Sequence, residues 1–284
     1  MNKKVLVIGA TGLIGQAIAN QLKDDGYSVR VLSRNLGKAK GIFTEGFELF
    51  EGDVLQNDSL NDAFHGVQCV YVNLPEKDIP FAMKNIIEQA KVAGVEHIAH
   101  TSGCTVREEN AWHPMIKAHL AGEQLVMKSG LPYSIFRLTM VMDMLPKYAH
   151  EGRPFIIGNQ PHGWSWIYSG DLAKMVSKAF SNEKSRNKKF TIFGPDKVTI
   201  PEAVDRFNAE FYPEAKKAKP MPYWMANILA LFIGKNFRFV ISLFKYFATH
   251  PEEGDPTEAY KLLGKPEIGI EKFIALYKTK ISSK

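Results

Sequence analysis

Residues 4–22 read Lys-Val-Leu-Val-Ile-Gly-Ala-Thr-Gly-Leu-Ile-Gly-Gln-Ala-Ile-Ala-Asn-Gln-Leu, and this stretch decides the fold. Lys4 to Ile8 is a short, apolar, β-branched run that reads as a buried strand. Ile14, Ile18 and Leu22 recur at a spacing of four, the stripe of a helix, and Gly26 closes it as a C-cap. Between strand and helix lie Gly9, Gly12 and Gly15. The first permits a tight turn, the second removes the Cβ that would block a pyrophosphate, and the third lets helix and strand approach. The helix N-terminus then offers free N–H groups and partial positive charge to an anion. A glycine triplet by itself is an ordinary packing turn. Placed between a strand and a helix, it predicts a dinucleotide loop contacted by Gly9, Thr11, Gly12, Leu13 and Ile14.

Outward from this loop the pattern repeats. Ser28–Leu32, Phe47–Phe50, Val67–Val72, Val95–Ala99 and Tyr133–Arg137 read as further strands. A short helix marked by Leu60, Ala63 and Phe64, a longer one from Ile79 to Ala90, and a third reaching Lys128 separate the later strands. Alternation at this spacing implies βαβ crossovers and a parallel sheet covered on both faces. The predicted fold class is therefore α/β, a doubly wound parallel sheet of Rossmann type. After Leu138 the rhythm changes, and a smaller, mostly helical C-terminal substrate region is expected. The predicted division is a Rossmann core over 1–138, completed by about 165–195, with 139–164 and 196–284 forming the substrate or lid region. Within the latter, Thr199-Ile200-Pro201-Glu202 is a capping box opening a helix.

Composition removes several classes. With 284 residues, 45% hydrophobic and 23% charged, the chain is neither disordered nor fibrous. A net charge of +6 without a basic stripe predicts no nucleic-acid partner. Cys69 and Cys104 are the only cysteines, which suggests a reducing, cytoplasmic setting. The apolar run after Met1-Asn2-Lys3-Lys4 is interrupted at Gly9 and Thr11, so it reads as a strand and not as a leader peptide. No run approaches the roughly 20 apolar residues of a spanning helix. His150 and His162 lack metal-ligand spacing, so no metal is expected.

The motif Gly9-Ala10-Thr11-Gly12-Leu13-Ile14-Gly15 resembles the fingerprint of extended and atypical short-chain dehydrogenases/reductases. The later pattern Lys117…Glu123…Ser129-Gly130-Leu131-Pro132-Tyr133-Ser134-Ile135-Phe136-Arg137 resembles the NmrA-like branch of that superfamily. The likeness covers most of residues 1–205, and beyond 215 it is confined to Leu263-Gly264-Lys265-Pro266. It implies a nicotinamide dinucleotide cofactor.

A carboxylate ending the second strand would favour NAD. Here Leu32 runs into Ser33-Arg34, followed by Lys38, so a hydroxyl and two cations stand where a 2′-phosphate would lie. NADP is expected over NAD, and the resemblance places Arg34 and Lys38 against the adenosine phosphate. It also implies cofactor contacts at Asp53 and Val54, at Asn73 and Leu74, and at Lys117. For catalysis the superfamily uses the Tyr of Tyr-x-x-x-Lys as proton donor, the Lys as ribose ligand, and a Ser after the fifth strand against the substrate oxygen. In this chain Ser102 and Lys117 match the Ser and Lys, whereas the Tyr position is His113. Histidine can donate or accept a proton near neutral pH and so stand in for the phenol. Pro114 places His113 at a helix N-cap, where it has a purely structural role as its alternative.

The expected activity is hydride transfer from NADPH to a small apolar carbonyl, quinone or imine near Trp112, His113 and Met140, with a non-catalytic cofactor sensor or accessory protein as the rival. Asp171 is read as an N-cap, and the Met and Trp residues from 140 to 166 as packing, with a flat apolar pocket as the functional alternative. Phe237, Val240, Ile241, Phe244 and Ala248 form the apolar side of a basic amphipathic helix. That helix is expected to pack on its own protein, with a homodimer seam or a peripheral membrane contact through 221–248 as rivals.

Overall fold

The computed structural model describes residues 3–282. It comprises two units: one of Met1–Leu138, Ser169–Ile192 and Gly254–Lys265, the other of Thr139–Tyr168, Phe193–Glu253 and Pro266–Lys284. Strands and helices are numbered in chain order through both.

In the first unit, β1 (Lys4–Ile8), β2 (Ser28–Ser33), β3 (Phe47–Glu51), β4 (Cys69–Val72), β5 (His97–Gly103), β6 (Tyr133–Leu138) and β8 (Lys188–Ile192) form one sheet. Its order is β3-β2-β1-β4-β5-β6-β8, and every pairing is parallel. Helices α1 (Leu13–Asp24) and α6 (Ser169–Ser181) pack together on one face, and α3 (Ile79–Val92) and α4 (Pro114–Lys128) on the other. Leu6, Ile8, Val70, Val72, Ile98 and Ile135 pack with Met83, Ile86 and Val126 into the core on the α3 and α4 side. The alternate residues Val5 and Val7 are also fully buried, as two covered faces require. The unit also contains α2 (Leu36–Ile42), which Asn35 caps by accepting from the Lys38 N–H.

The sequence pattern misplaced β5. It starts at His97 and runs to Gly103, beyond the predicted 95–99. Its polar residues, at both ends of the strand, find buried partners. His97 Nε2 meets Ser134 Oγ at 2.9 Å, Tyr71 and Thr101 share a hydroxyl bond of 2.6 Å, and Ser102 donates to Glu123 at 2.7 Å. Polar residues in a strand escape a pattern search keyed to apolar runs.

Residues 254–265 also depart from expectation. The sequence pattern places them in the lid region, but α10 (Thr257–Leu263) packs on α6 and β8 of the first unit. The Leu262 carbonyl accepts from Asn182 Nδ2, and Lys188 pairs with Glu258.

The second unit contains an antiparallel pair, β7 (Gly163–Trp166) and β9 (Asp196–Thr199), that the sequence did not reveal. Around it lie α5 (Leu145–Ala149), α7 (Ile200–Phe211), α8 (Tyr223–Ile233), α9 (Lys235–Thr249) and α11 (Ile270–Ser282). The capping box of α7 forms as read, with Thr199 and Glu202 bonding reciprocally. Met140, Met142, Trp164 and Trp166 are buried packing residues, and Trp166 Nε1 donates to the Val198 carbonyl. Glu252 is buried here and accepts from Ser165 N–H, Ser165 Oγ and Thr139 Oγ1. In the first unit, Asp171 lies inside the first turn of α6 and is not its N-cap; the helix begins two residues earlier, at Ser169.

Candidate functional site: a dinucleotide cleft

The sheet order reverses between β1 and β4, the place where open α/β sheets bind ligands. There the loops after these strands touch. Asn73 N–H donates to the Ile8 carbonyl at 3.1 Å, and Gly9 has φ +82°. A Cβ on Gly9 would stand 1.9 Å from the Asn73 carbonyl oxygen, and one on Gly15 would stand 2.2 Å from the Gly9 oxygen. These glycines are demanded by the protein's own backbone. Gly12 differs: its backbone is extended, and a Cβ there would meet nothing nearer than 3.4 Å. The space beside Gly12 is left open by the chain, at the N-terminus of α1, where N–H groups lack intrahelical acceptors.

That space is a cleft of about 440 Å³. Gly9, Thr11, Gly12, Ser33, Arg34, Lys38, Val54, Asn73 and Leu74 line it together. Arg34 and Lys38 are exposed and make no ion pair among the described residues. Ser33 is less available than its position suggested, because its hydroxyl donates to the Asn35 carbonyl at 3.0 Å and accepts from the Asn35 N–H. It shapes the loop that carries Arg34.

Other expected contacts lie elsewhere. Leu13, Ile14, Asp53 and Lys117 do not line the cleft. Asp53 Oδ1 accepts from the Leu55 N–H at 3.0 Å and so holds its own turn, while the flanking Gly52 and Val54 face the cleft. The sequence reading missed Asn35 and Asp78 in the lining. Asp78 follows the Asn73-Leu74-Pro75 loop at the N-cap of α3, and its carboxylate can accept from an amino or hydroxyl group of a ligand. An acid at a predicted helix start was the available clue.

The profile of the family described as NAD(P)H-binding matches residues 9–183, more than half of the chain. The chain belongs to this family. The resemblance to NmrA-like, atypical short-chain dehydrogenases/reductases agrees with it. Among curated proteins, the chain is 24% identical over 243 residues to the photosystem II assembly factor Ycf39 of Trieres chinensis, covering 81% of this chain and 76% of that one. It is 26% identical over 211 residues to the NAD(P)H azoreductase of Xenophilus azovorans, covering 72% and 73%. Among solved structures, the triphenylmethane reductase of Citrobacter sp., complexed with NADP(H), superposes with a TM-score of 0.76 at 21% identity, covering 95% and 98%. At that identity the likeness carries the fold.

The catalytic positions of this NAD(P)H-binding chain depart from the superfamily pattern. Ser102 is 3% exposed and lies on the same side of β5 as His100, toward α4. Its hydroxyl donates to Glu123 Oε1 at 2.7 Å, and Arg137 holds the same carboxylate through Nε at 2.9 Å and Nη2 at 2.6 Å. The expectation that Ser102 bonds a substrate oxygen is therefore corrected: its proton is committed to a buried carboxylate.

His113 is the N-cap of α4, with Pro114 at the first helical position, and its side chain does not cap the helix. The ring is 1% exposed and lies edge-on to Trp112, which is itself exposed. Lys117 stands one turn on, and its side chain is exposed with no ion-pair partner among the described residues. Both cysteines are buried thiols, and burial pushes Cys69 up to about 12, far from thiolate chemistry.

Proposed function

We propose that this protein is an NADPH-dependent reductase that passes hydride to a small, flat, apolar acceptor such as a quinone or a conjugated carbonyl. The observation that carries this reading is the pair Arg34 and Lys38, free of protein anions, on the wall of a cleft whose glycine cradle leaves room for a pyrophosphate. One guanidinium and one ammonium group beyond β2 suit a 2′-phosphate, and Ser33 stands where an NAD-selecting carboxylate would. NADPH, when bound, supplies a hydride.

The residues present suit some acceptors better than others. Reduction of a simple ketone leaves an alkoxide that needs an acid close by. This chain has no tyrosine at that position, and the Ser102 proton is held by Glu123. A quinone or extended conjugated system spreads the incoming charge, so water can deliver the proton. Lys117 contributes positive charge and hydrogen-bond donors toward the ribose, and His113 is the side chain able to hold or release a proton. The names of two relatives, an azoreductase and a triphenylmethane reductase, support an acceptor of this flat, conjugated kind.

Two observations favour a second reading. The absent tyrosine and the sequestered Ser102 also suit a protein that binds the cofactor without turning it over, and one relative is named an assembly factor. The test is NADPH consumption with a panel of quinones, aldehydes and enones, alongside calorimetric cofactor binding. Quinone-dependent oxidation supports the reductase. Tight NADPH binding with no turnover on any acceptor assigns the sensor.

A further inference from the structure

Helix α8 reads Tyr-Trp-Met-Ala-Asn-Ile-Leu-Ala-Leu-Phe-Ile from Tyr223 to Ile233, without one charged residue. Its start is anchored in the second unit. The Tyr223 ring fills the space beside Gly158, its hydroxyl donates to the Phe244 carbonyl at 3.3 Å, and Lys245 Nζ sits 5.5 Å from the ring centre. Ala226 and Ala230, one turn apart, are its buried residues, and the helix packs against α9. Trp224, Met225, Ile228, Leu229, Leu231, Phe232 and Ile233 all face water, Leu231 at 70% and Phe232 at 83% exposure.

The neighbouring helix shows that this exposure is specific. In α9, Phe237, Ile241 and Phe244 are buried, while Lys235, Arg238 and Lys245 point outward. The amphipathic helix foreseen from sequence therefore packs on its own protein, as expected, and the exposed apolar surface belongs to α8. Contiguous apolar surface of this kind marks an interaction site.

Charge identifies the occupant. From Ala215 to Pro251 there is no acidic residue, whereas Lys216, Lys217, Lys219, Lys235, Arg238 and Lys245 are all exposed. None of these cations makes an ion pair among the described residues. They bracket α8 at both ends. A second copy meeting this face would set cations against cations with no carboxylate from the same segment to answer them. An anionic bilayer surface answers both features, with acyl chains for the apolar middle and phosphates for the flanking cations. Eleven residues make a helix of about 16 Å, half of the roughly 30 Å needed to span. No helix among the described residues is long and apolar enough to cross a membrane.

We propose that α8 docks this protein flat and reversibly on an anionic lipid surface, with Trp224, Leu231 and Phe232 entering the boundary between headgroups and acyl chains and the bracketing cations holding the phosphates. Co-sedimentation of the full chain with phosphatidylglycerol vesicles and with pure phosphatidylcholine vesicles tests this. Binding to the former, release by high salt, and a blue shift of Trp224 emission in a Trp112→Phe background are expected. Lys235→Ala and Arg238→Ala should each weaken partitioning about fivefold. The double variant Leu231→Ser, Phe232→Ser should weaken it at least about tenfold. All substituted side chains face water, so an unchanged thermal midpoint certifies the fold. The proposal is overturned if wild-type protein stays in the supernatant with phosphatidylglycerol, if it binds both vesicles equally, or if the double serine variant binds undiminished. Sedimentation velocity showing a dimer that Phe232→Ser dissolves would assign the face to a second copy instead.

Discussion

Ser102 and Glu123 share a hydrogen bond of 2.7 Å across the interface of β5 and α4, inside a layer where Glu123 keeps 1% of its side-chain surface. Arg137 completes the group from β6. A serine near the end of β5 thus ties sheet to helix instead of presenting a hydroxyl to a ligand. Ser102→Ala should lower stability by about 1.5–3 kcal/mol, the range for a hydrogen bond to a charged group, while leaving the NADPH oxidation rate within about twofold. Glu123→Gln should cost about 3 kcal/mol, at the low end for a broken buried pair because Arg137 retains 20% exposure. Urea denaturation and steady-state rates on the same preparations check both. A rate loss of 10²-fold with unchanged stability in Ser102→Ala would return the hydroxyl to the catalytic machinery.

The three loop glycines should separate by phenotype. Gly12→Val should abolish cofactor binding by calorimetry with a thermal midpoint close to wild type, because the extended backbone suits valine and the added Cβ has 3.4 Å of clearance. Gly9→Ala and Gly15→Ala should instead unfold or strongly destabilise the protein, since their Cβ atoms would press on backbone at 1.9 and 2.2 Å. Unchanged cofactor affinity in Gly12→Val removes the cleft assignment.

Cofactor choice should rest on Arg34. Arg34→Asp places a carboxylate where the 2′-phosphate is expected and removes a charge-assisted bond. NADPH affinity should fall by about 10- to 150-fold, with NADH gaining or unchanged. Equal wild-type affinity for the two cofactors by calorimetry rejects the preference.

Much of the first unit was legible because its signals are local. The strand–glycine–helix order from Lys4 to Leu22 and the run of βαβ units follow from apolar spacing, and the parallel sheet follows from them. The cleft was legible where backbone position alone sets it, at Gly9, Gly12 and Asn73. It was illegible where a side chain chooses between ligand and protein. Ser33, Asp53 and Ser102 all turn to protein partners, and that choice depends on carbonyls and amides placed by the turn or on a carboxylate from another element. The β7–β9 pair escaped because Trp164, Ser165 and Trp166 find their partners only across 30 residues of intervening chain. Likewise, α10 returns to the first unit through contacts with α6 and β8 that no local pattern encodes.

Stability should decline on acidification below about pH 6.5. Burial holds His97 and His100 down at about 4, so both are neutral in the folded protein, while an unfolded chain titrates them near the ordinary value of about 6.5. Between these limits the unfolded state binds more protons, and stability therefore rises with pH across the window and flattens above it. Each group contributes at most about 1.4 kcal/mol per pH unit within the window. His97 Nε2 donates to Ser134 Oγ, because that hydroxyl already gives its proton to the Ser185 carbonyl, so His97→Gln should retain the bond and remove its share of the slope. Urea midpoints at pH 7 and pH 5 check this, and an identical slope in wild type and His97→Gln would sink the assignment.

The rate should depend on Lys117 more than on His113. His113 is buried at the N-cap of α4, with its ring edge-on to Trp112. Lys117 lies one turn on, outside the cleft lining but exposed and without an ion-pair partner among the described residues, and the proposed function gives its charge to the nicotinamide ribose. If a quinone is the acceptor, water supplies the proton, and His113→Phe should change kcat by less than about tenfold, short of the 10²–10⁴ typical of general acid catalysis. Lys117→Ala should weaken NADPH binding and lower kcat/KM by about 10-fold or more, as loss of one charge-assisted hydrogen bond implies. Stopped-flow NADPH oxidation with calorimetric binding on both variants separates the cases. A 10³-fold loss of rate in His113→Phe, with cofactor affinity intact, would make the histidine the acid and move the acceptor class toward simple carbonyls, whose alkoxide needs a proton at the moment it forms.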